Sequence, residues 1–355
     1  MLKTNILGID LAKNIFHVCE MTPQGRVVRR ARLSREQLSD WVVRHFQGVI
    51  AMEACGGSHY WARVFEALGY EVRIIAAQFV KPFVKSNKND RIDAEAICEA
   101  ASRPQMRFVA TRSEEQQDIQ NLHRVRERLV CNRTALANEI RGLLLEYGVV
   151  IAQGITHVRK QLHGILETHK NRHRALWDKT FLDLYREFCE VDDRIEECDR
   201  ALKAISRAHE ACTRLEKIPG VGTITSTAIV AAVGSAKHFK NGREFAAWLG
   251  LVPRQHSTGG KSSLGRISKR GDPYIRRLLV TGARSVAIAA ERRRNHKDPS
   301  KRVINRTSQW LFNLADRRGG NRAVVALANK TARRIWVVLR GEDFKQPEAL
   351  MPLVA

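Results

Sequence analysis

Four acidic residues in the first hundred positions have a spacing that could support metal-dependent chemistry. Asp10 and Glu53 each end a short apolar run, whereas Asp90 and Asp93 stand three positions apart. Residues three apart share one face of a helix, so a helix packed on neighbouring strands would bring all four carboxylates together. Clustered carboxylates repel one another unless cations neutralise them, and an all-oxygen ligand set suits Mg²⁺ or Mn²⁺. Two such ions can activate an attacking oxygen and stabilise the leaving oxygen of a phosphodiester.

Each of these acids, taken alone, has an ordinary structural explanation. An Asp that follows a strand is commonly a helix cap or a loop residue, and Asp90 could merely cap its own helix. The order of the surrounding elements is more informative than any single acid, because it decides whether the four positions converge.

Those elements alternate strand and helix patterns. We predict strands at about 5–10, 15–19, 26–29, 49–53 and 71–75. We predict helices from the capping box of Ser34 and Gln37 to about His45, over about 58–68, and from Asn89 or Asp90 onward. The order β-β-β-α-β-α-β-α indicates an α/β domain with a mixed sheet, and it puts the acids at strand ends and on the third helix.

A second candidate site lies in a segment rich in Gly, Ser and Lys at about 254–271, which we interpret as a loop. Ser257 precedes Thr258-Gly259-Gly260 there and is surrounded by basic residues. Such a serine could bind a phosphate, or it could be a nucleophile if a base or metal takes its proton and cations stabilise the transition state. Residue types alone leave both roles open. The rival serines are Ser262, Ser263 and Ser268.

Glycines and basic residues near this serine predict contacts with a nucleic-acid backbone. The run from Ile218 to Gly222 resembles a helix-hairpin-helix turn, in which glycines let the backbone approach a phosphate without reading sequence; a plain helix-helix turn is the alternative. Arg-rich helices are predicted at roughly 272–294 and 320–340. The candidate nucleic-acid-binding residues are Gly220, Gly222, Arg254, Lys261, Lys269, Arg270, Arg276 and Arg277.

The charge of this 355-residue chain is concentrated in its last part. The net charge is +24, and residues 213–355 hold 28 Lys and Arg against 9 Asp and Glu. Residues 111–212 are balanced, with 17 of each, and residues 1–110 carry a net +5. Counterion release from a nucleic-acid backbone favours such clustered cations, although a solvated basic surface would have the same composition.

The chain is too long for one compact core, so we divide it into three regions. These are an acid-bearing α/β domain at 1–110, a helical region at 111–212 and a basic, mainly helical domain at 213–355. In the helical region, one pattern repeats Leu122, Leu129, Leu136 and Leu143, with Val125 and Ile140 between them. A second pattern, from Leu184 to Ile205, follows an a/d heptad seam. The patterns predict either an intermolecular coiled coil or an antiparallel hairpin within one chain.

Composition excludes several other classes of protein. The seven scattered cysteines include no C-x-x-C pair, which argues against a disulfide framework or a zinc site. We see no signal-peptide pattern, and no window approaches 18 uninterrupted apolar residues. We therefore expect a cytoplasmic protein that binds no membrane.

The segments around the acids resemble the three acidic motifs of the DEDD transposases, insertion-sequence recombinases related to the Piv and MooV DNA invertases. The matching segments are Gly8–Lys13, Met52–Gly56 and Asn89–Ala94, which stand in the expected order. The similarity extends over nearly the whole chain. It implies an N-terminal domain with the ribonuclease H-like fold of the RuvC resolvases, and an enzyme that cuts and rejoins donor and target DNA.

The resemblance also selects one serine. The segment from Gly250 to Lys261 is similar to the signature of the family's second transposase domain, whose serine attacks DNA and forms a phosphoserine-linked intermediate. Ser257 is the matching residue, and His256 is a candidate proton carrier, although an ordinary loop histidine is the simpler interpretation. The resemblance implies a composite site, in which one domain of a homo-oligomer (dimer or tetramer) supplies the four metal-binding acids and another supplies the serine.

Members of this group look RNA-guided, since a structured bridge RNA pairs with both target and donor DNA. The resemblance therefore implies a bridge-RNA partner, whereas the invertase relatives act without an established guide of this kind. Three alternatives stay open. The chain could be a metal-dependent nuclease of the Holliday-junction type, a protein-only DNA invertase, or an architectural protein that binds nucleic acid without catalysis.

Overall fold

The chain divides into two compact units in the computed structural model, which describes residues 4–84, 90–169, 174–342 and 351–352. The units are Met1–Glu114 and Glu115–Ala355. The first is a mixed α/β unit and the second is mainly helical, so the expectation of an α/β chain with a large helical part is confirmed. The finer division at 110 and 212 stays a prediction.

The first unit is built on one sheet with helices on both faces. Its described strands are β1 (Ile6–Leu11), β2 (Ile15–Met21), β3 (Val27–Ser34), β4 (Val49–Glu53), β5 (Glu71–Ile75) and β6 (Phe108–Val109). Its described helices are α1 (Gln37–His45), α2 (Ser58–Ala67), α3 (Ala77–Val80) and α4 (Asp90–Ser102), with a 3₁₀ turn at Lys81–Phe83.

The strand order in the described sheet is β3-β2-β1-β4-β5-β6. The first three strands form an antiparallel meander, β4 and β5 run parallel to β1, and β6 is antiparallel to β5. All five predicted strands are confirmed, and β3 continues to Ser34. The sequence missed β6, because two residues carry no alternating pattern.

The two faces of the sheet have separate cores. Leu7, Ile9 and Met52 pack with residues of α1 and α2 on one face. On the other face, Ile6 and Ala51 pack with small residues of α4. Because side chains alternate along a strand, each strand contributes every second residue to each core. The capping box at the start of α1 is also confirmed, since the Ser34 amide donates to Gln37 Oε1 at 3.0 Å and the Gln37 amide donates to Ser34 Oγ at 3.4 Å.

The second unit contains the long helices of the middle region and the basic C-terminal part. Its described helices are α5 (Glu114–Leu145), α6 (Ile155–His169), α7 (Ala175–Ala208), α8 (Glu210–Glu216), α9 (Thr223–Val233), α10 (Gly242–Trp248), α11 (Pro273–Arg294), α12 (Arg306–Arg318) and α13 (Gly320–Leu339). Its described strands are β7 (Pro253–Thr258), β8 (Lys261–Ile267), β9 (Val303–Ile304) and β10 (Met351–Pro352), with a 3₁₀ turn at Pro299–Lys301.

Helices α5 and α7 pack on each other in antiparallel fashion within the chain. Ile119 packs beside Leu202, and Leu129 packs beside Ile195 and Cys198. The heptad seam of α7 is thus covered by α5, as expected for the hairpin alternative, and an intermolecular coiled coil stays a prediction. Two residues of the α5 pattern, Val125 and Leu143, lie off the packed face and are each 40% exposed.

A buried carboxylate joins the helices of this bundle. Asp192 of α7 is 7% exposed and accepts from Arg133 of α5 at 2.5 Å and from Arg159 of α6. Pairing with two arginines offsets the desolvation of the carboxylate, because an unpaired buried charge would be strongly destabilising. None of the described helices combines the length and the apolar composition needed to cross a membrane.

Candidate active site

Asp10 and Glu53 lie at the same end of two neighbouring parallel strands. The register pairs Ile9 of β1 with Met52 of β4, so the next residue on each strand is one of the two acids. Both acids belong to the face that packs on α4, because they follow Gly8 and Ala51 by two positions. Both are half-buried. The sheet register thus brings these two predicted residues side by side.

The Cys55 thiol lies near both carboxylates. Desolvation raises the pKa of Cys55, and the negative charges of Glu53 and then Asp10 raise it further. Its Sγ donates to the carbonyl oxygen of Leu11 at 3.9 Å. Both carboxylates thus disfavour the ionised form of the thiol.

Helix α4 runs antiparallel to β1, and its first turn lies at the end of the sheet where Asp10 stands. Its middle is fixed by Cys98, whose Sγ accepts from the Gly8 amide at 3.0 Å, donates to the Cys19 carbonyl at 3.1 Å and lies 3.8 Å from the Ile6 carbonyl. Ala94, one turn earlier, packs against Gly8. Residues 90 and 93 come before Ala94 in the helix, so they lie closer than Ala94 to the end of the sheet that carries Asp10. Asp93 is half-buried. The side chain of Asp90, like Asn89, lies outside the described residues.

The predicted metal site is only partly visible in the described side chains. Among them, no group of three or more His, Cys, Asp and Glu is arranged to hold a metal ion. Asp10, Glu53 and Asp93 offer oxygen atoms, the ligands that Mg²⁺ and Mn²⁺ prefer, so the donor chemistry fits a divalent cation.

The register also reveals neighbours of Asp10 that the spacing of the acids did not indicate. His17 of β2 lies opposite Asp10, and Arg32 of β3 lies opposite His17. Together with Glu53 they form a row across four strands, which we call the cross-sheet row: Arg32, His17, Asp10 and Glu53. Sequence reasoning could have found it by counting both strands back from the turn at residues 12–14.

Ser257 lies on a β-hairpin, and the interpretation of 254–271 as a loop was wrong for most of its length. Strands β7 and β8 pair directly, with Ser257 opposite Ser262. Gly259 and Gly260 form the two-residue turn with φ angles of +55° and +76°, as a type I′ turn requires. Every residue of β7 is exposed, so this strand buries neither face and has no hydrophobic alternation to reveal it.

Among the residues that the structure describes, Ser257 Oγ has a hydrogen-bond donor but no carboxylate or imidazole partner. The side-chain amide of Gln255 donates to Ser257 Oγ at 2.8 Å, and both residues lie on the same face of the hairpin. His256 lies on the opposite face, since neighbouring strand residues point to opposite sides. The alternation therefore argues against His256 as the proton carrier. The segment 253–267 contains no Asp or Glu.

The six basic residues among the predicted nucleic-acid-binding residues divide into two groups. Four of them are exposed at the hairpin and its base: Arg254, Lys261, Lys269 and Arg270. The other two arginines hold the protein together. Arg276 Nη1 donates to the carbonyls of Leu249 and Arg270, each at 3.2 Å. Arg277 forms an ion pair with Glu127 at 2.6 Å.

Gly220 and Gly222 lie in the turn between α8 and α9 but in different surroundings. Gly220 has a φ of +86°, and a β-carbon there would come within 2.8 Å of the carbonyl oxygen of Gly282 on α11. Gly222 has a φ of −111° and open space around it. Packing on α11 thus explains the glycine at 220, whereas no described residue lies close enough to position 222 to require a glycine there. Phosphate binding by either stays a prediction.

Comparison with known proteins agrees with this organisation. Residues 7–149 match the model of a DEDD transposase family of the IS110 group, described as a transposase. Residues 212–298 match the model described as the transposase IS116/IS110/IS902 family. The first match contains the four acids and the second contains Ser257.

Similar proteins cover almost the entire chain. A probable family 20 transposase of Pseudomonas aeruginosa is 45% identical, over 96% of this chain and 98% of its own. The transposase for insertion sequence element IS1111A of Coxiella burnetii is 44% identical, over 95% and 90% of the two chains. That for element IS1328 of Yersinia enterocolitica is 42% identical, over 95% and 97%. Transposases are enzymes that cut and rejoin DNA, and this chain belongs to the IS116/IS110/IS902 family of transposases.

Proposed function

We propose that this insertion-sequence transposase cuts DNA through Ser257 and uses Asp10, Glu53, Asp90 and Asp93 to hold the divalent cations that the reaction needs. The observation that carries the proposal is the register of β1 and β4, which sets two carboxylates side by side at the end of the sheet toward which the first turn of α4 points. A ribonuclease H-like first unit fits the strand order β3-β2-β1-β4-β5 with α4 on one face.

Divalent cations are needed because a phosphodiester and a carboxylate cluster are both negatively charged and repel each other, and the acids are the groups that would hold these cations. Bound Mg²⁺ or Mn²⁺ would polarise the scissile phosphate and stabilise the oxygen that leaves it. Asp10 and Glu53 hold their positions through the sheet, and Asp93 holds its position through the packing of α4 on Gly8. The carboxylates thus orient the phosphate for attack in a fixed geometry.

The strand is cut by transesterification at Ser257. Its Oγ attacks the phosphorus, an Oγ–P bond forms, and the bond from phosphorus to one of the two bridging oxygens breaks. That oxygen takes up one proton while Oγ gives one up, so that the severed strand ends in a hydroxyl group. Rejoining reverses the step, because a hydroxyl of another strand attacks the phosphoserine and restores Oγ. Since one phosphate ester replaces another, no external energy source is required. The Gln255 amide, 2.8 Å from Oγ, stabilises the negative charge that grows there as the proton leaves.

The proton of Ser257 needs an acceptor from outside the hairpin. The hairpin has no carboxylate, and His256 faces away from Ser257. We assign this role to the acidic unit acting on the same DNA, in the same subunit or in another subunit of a homo-oligomer. In the proposed reaction Ser257 is the nucleophile and the acidic unit accepts its proton, whereas a junction nuclease needs only the acids and a water molecule.

Donor and target DNA are held by the exposed basic residues around the hairpin, through phosphates rather than bases. A bridge RNA that pairs with both DNAs is the proposed source of sequence specificity, and the net charge of +19 in residues 213–355 is compatible with binding both kinds of nucleic acid. A protein-only invertase would share the chemistry but not the RNA, so RNA recovered with the protein from cells carrying its native flanking DNA separates the two.

A covalent-adduct assay tests the central step. End-labelled DNA carrying the native flanking sequence is incubated with the full chain, any co-purified RNA and Mg²⁺, and the products are separated under denaturing conditions. The proposal expects a protein–DNA adduct that resists denaturation and is lost with Ser257→Ala. Ser263→Ala, which changes a serine on the opposite strand of the hairpin, is the matched control and should retain the adduct.

Asp10→Asn should also abolish the adduct without unfolding the protein. If Ser257→Ala still rejoined DNA at the normal rate, the serine mechanism would be wrong and a nuclease-like reaction would replace it. If neither Asp10→Asn nor Ser257→Ala altered DNA cutting or rejoining, neither residue would take part in the reaction and the proposed site would be wrong.

A further inference from the structure

The cross-sheet row has Arg32 at the end opposite to Glu53, and the proposed metal binding by the acids does not require this arginine. Arg32, His17 and Asp10 are consecutive partners across β3, β2 and β1. Neighbouring strands lie about 4.8 Å apart, so the backbone of Arg32 is roughly 10 Å from that of Asp10. The long arginine side chain can therefore reach a group bound beside the acids.

Arg32 faces the same side of the sheet as the acids. Two residues earlier on β3, Arg30 forms an ion pair with Glu95 of α4 at 2.7 Å, which fixes that face of β3 as the α4 face. Arg32 shares it by alternation. Because α4 runs antiparallel to β1, Glu95 stands at the level of Gly8, and the start of the helix stands at the level of Asp10 and Arg32.

The two arginines differ in what they contact. Arg30 is committed to Glu95, whereas the residues that the structure describes provide no ion pair or hydrogen bond for Arg32, which is exposed. A guanidinium in this position binds a phosphate in bidentate fashion better than any other side chain. His17, half-buried between Arg32 and Asp10, adds a second nitrogen-bearing group to the same side.

We propose that Arg32, with His17 beside it, forms a subsite for the DNA backbone phosphate next to the scissile phosphate. The inference rests on the proposed function, because it takes the acids to mark the position of the cut. Arg32 binds substrate through a phosphate and carries no sequence information, so its effect is the same for every DNA sequence. The strand then crosses the end of the sheet from the acids on β4 and β1 toward β3.

The competing explanation is that Arg32 merely balances the negative charge of the acids. In that case its loss would change the unfolding free energy or the Mg²⁺ affinity of the free protein, and DNA binding would keep its dependence on salt. A phosphate contact instead contributes about one unit to the slope of log K against log salt concentration.

The test measures binding of a fluorescein-labelled duplex of the native flanking DNA over a series of salt concentrations, in EDTA so that no cutting occurs. Arg32→Gln should lower the slope by about one unit, and Arg32→Lys should restore most of it. Arg30→Gln, on the same strand and face, is the matched control and should leave the slope unchanged. In Mg²⁺, Arg32→Gln should raise the DNA concentration needed for half-maximal cutting more than it lowers the maximal rate.

Asp10→Asn separates this inference from the proposed function. If Asp10→Asn still cuts DNA, the proposed function fails, and the phosphate subsite fails with it. If Asp10→Asn is inactive while Arg32→Gln keeps the wild-type slope, only the subsite is overturned and Arg32 is a counterion of the acids.

Discussion

The carbonyl oxygen of Ala94 lies against the α-carbon of Gly8, in the space that a β-carbon would occupy. This contact lets α4 lie directly on β1, and the bond from the Gly8 amide to Cys98 Sγ at 3.0 Å fixes the helix along the strand. The position of Asp93 relative to Asp10 therefore depends on the absence of one methyl group, two residues from the acid.

Gly8→Ala should displace α4 and impair catalysis. The new β-carbon would meet backbone, which cannot move aside as a side chain can, so we expect a loss of about 1–3 kcal/mol in the free energy of unfolding. DNA cutting should fall further than this loss explains, since α4 carries two of the acids. Gly56→Ala, where a β-carbon meets nothing within 4 Å, is the control for stability. Equal denaturation midpoints for the two variants would contradict the role assigned to the Gly8 contact.

The turn between α8 and α9 offers a pair of variants that separates packing from binding. Gly220→Ala should destabilise the second unit by about 2 kcal/mol or more, because an L-residue is strained at its positive φ and its β-carbon meets Gly282. Gly222→Ala should change the unfolding free energy by less than about 1 kcal/mol. If the turn binds phosphate as predicted, Gly222→Ala should weaken DNA binding without unfolding the protein. Unaltered DNA affinity would leave the turn as a plain helix connection.

His123 links three helices of the second unit in a defined tautomer. The Thr227 hydroxyl donates to the Thr223 carbonyl at 2.6 Å, so its oxygen must accept from His123 Nε2 at 3.0 Å. His123 Nδ1 therefore carries no proton and accepts from the Tyr274 hydroxyl at 3.0 Å. Protonation of Nδ1 would replace this acceptor with a donor and break the link to α11.

The stability of the second unit should consequently fall in mild acid. Burial, and then the charge of Arg126, lower the pKa of His123 from 6.5 to about 4. As the pH falls, His123 of the unfolded state binds a proton before His123 of the folded state does. The stabilisation by neutral His123 is therefore complete above the pKa of the unfolded state, and it is lost as the pH falls from that pKa to the pKa of the folded state. Between about pH 7.5 and about pH 5 the loss should be about 2 kcal/mol.

Urea unfolding of the wild type and of His123→Gln at both pH values measures this contribution. The variant lacks the titrating group and should show a smaller loss, whereas His59, whose pKa is also lowered to about 4, is present in both proteins and cancels. Parallel pH dependence of the two proteins would show that His123 does not titrate as described.

The architecture of the first unit could be predicted from the sequence because its strands are buried. The runs before Asp10 and Glu53 are continuous apolar segments, and both became adjacent strands of one sheet. The hairpin that carries Ser257 could not be predicted in this way. Every residue of β7 is exposed, and so are most of the described residues of β8, so main-chain hydrogen bonds and a Gly-Gly turn hold the hairpin together. Neither leaves a periodic signal in the sequence beyond the turn itself.

The sequence led us to expect that Asp10 and Glu53 converge, and the register of β1 and β4 places them side by side. The order of the strands and helices indicated where the carboxylates would converge, whereas His17 and Arg32 gain their significance from the register across β2 and β3. Arg276 and Arg277 are the opposite case, in which the sequence suggested a binding role and the structure shows contacts within the protein. Both look like phosphate ligands in the sequence, but Arg276 binds two carbonyls and Arg277 binds a carboxylate.

Arg276 and Lys261 should therefore respond differently to substitution. Arg276→Ala removes two charge-assisted hydrogen bonds that join α11 to the base of the hairpin, and we expect a loss of about 2 kcal/mol in the free energy of unfolding. Lys261→Ala, at an exposed position beside the Gly-Gly turn, should leave the unfolding free energy unchanged and lower the slope of log K for DNA against log salt concentration by about one unit. Urea titration and DNA binding by fluorescence anisotropy measure the two quantities on the same preparations. A reduced salt slope in a fully folded Arg276→Ala protein would mean that Arg276 releases its carbonyls to bind DNA, and that the base of the hairpin rearranges when DNA binds.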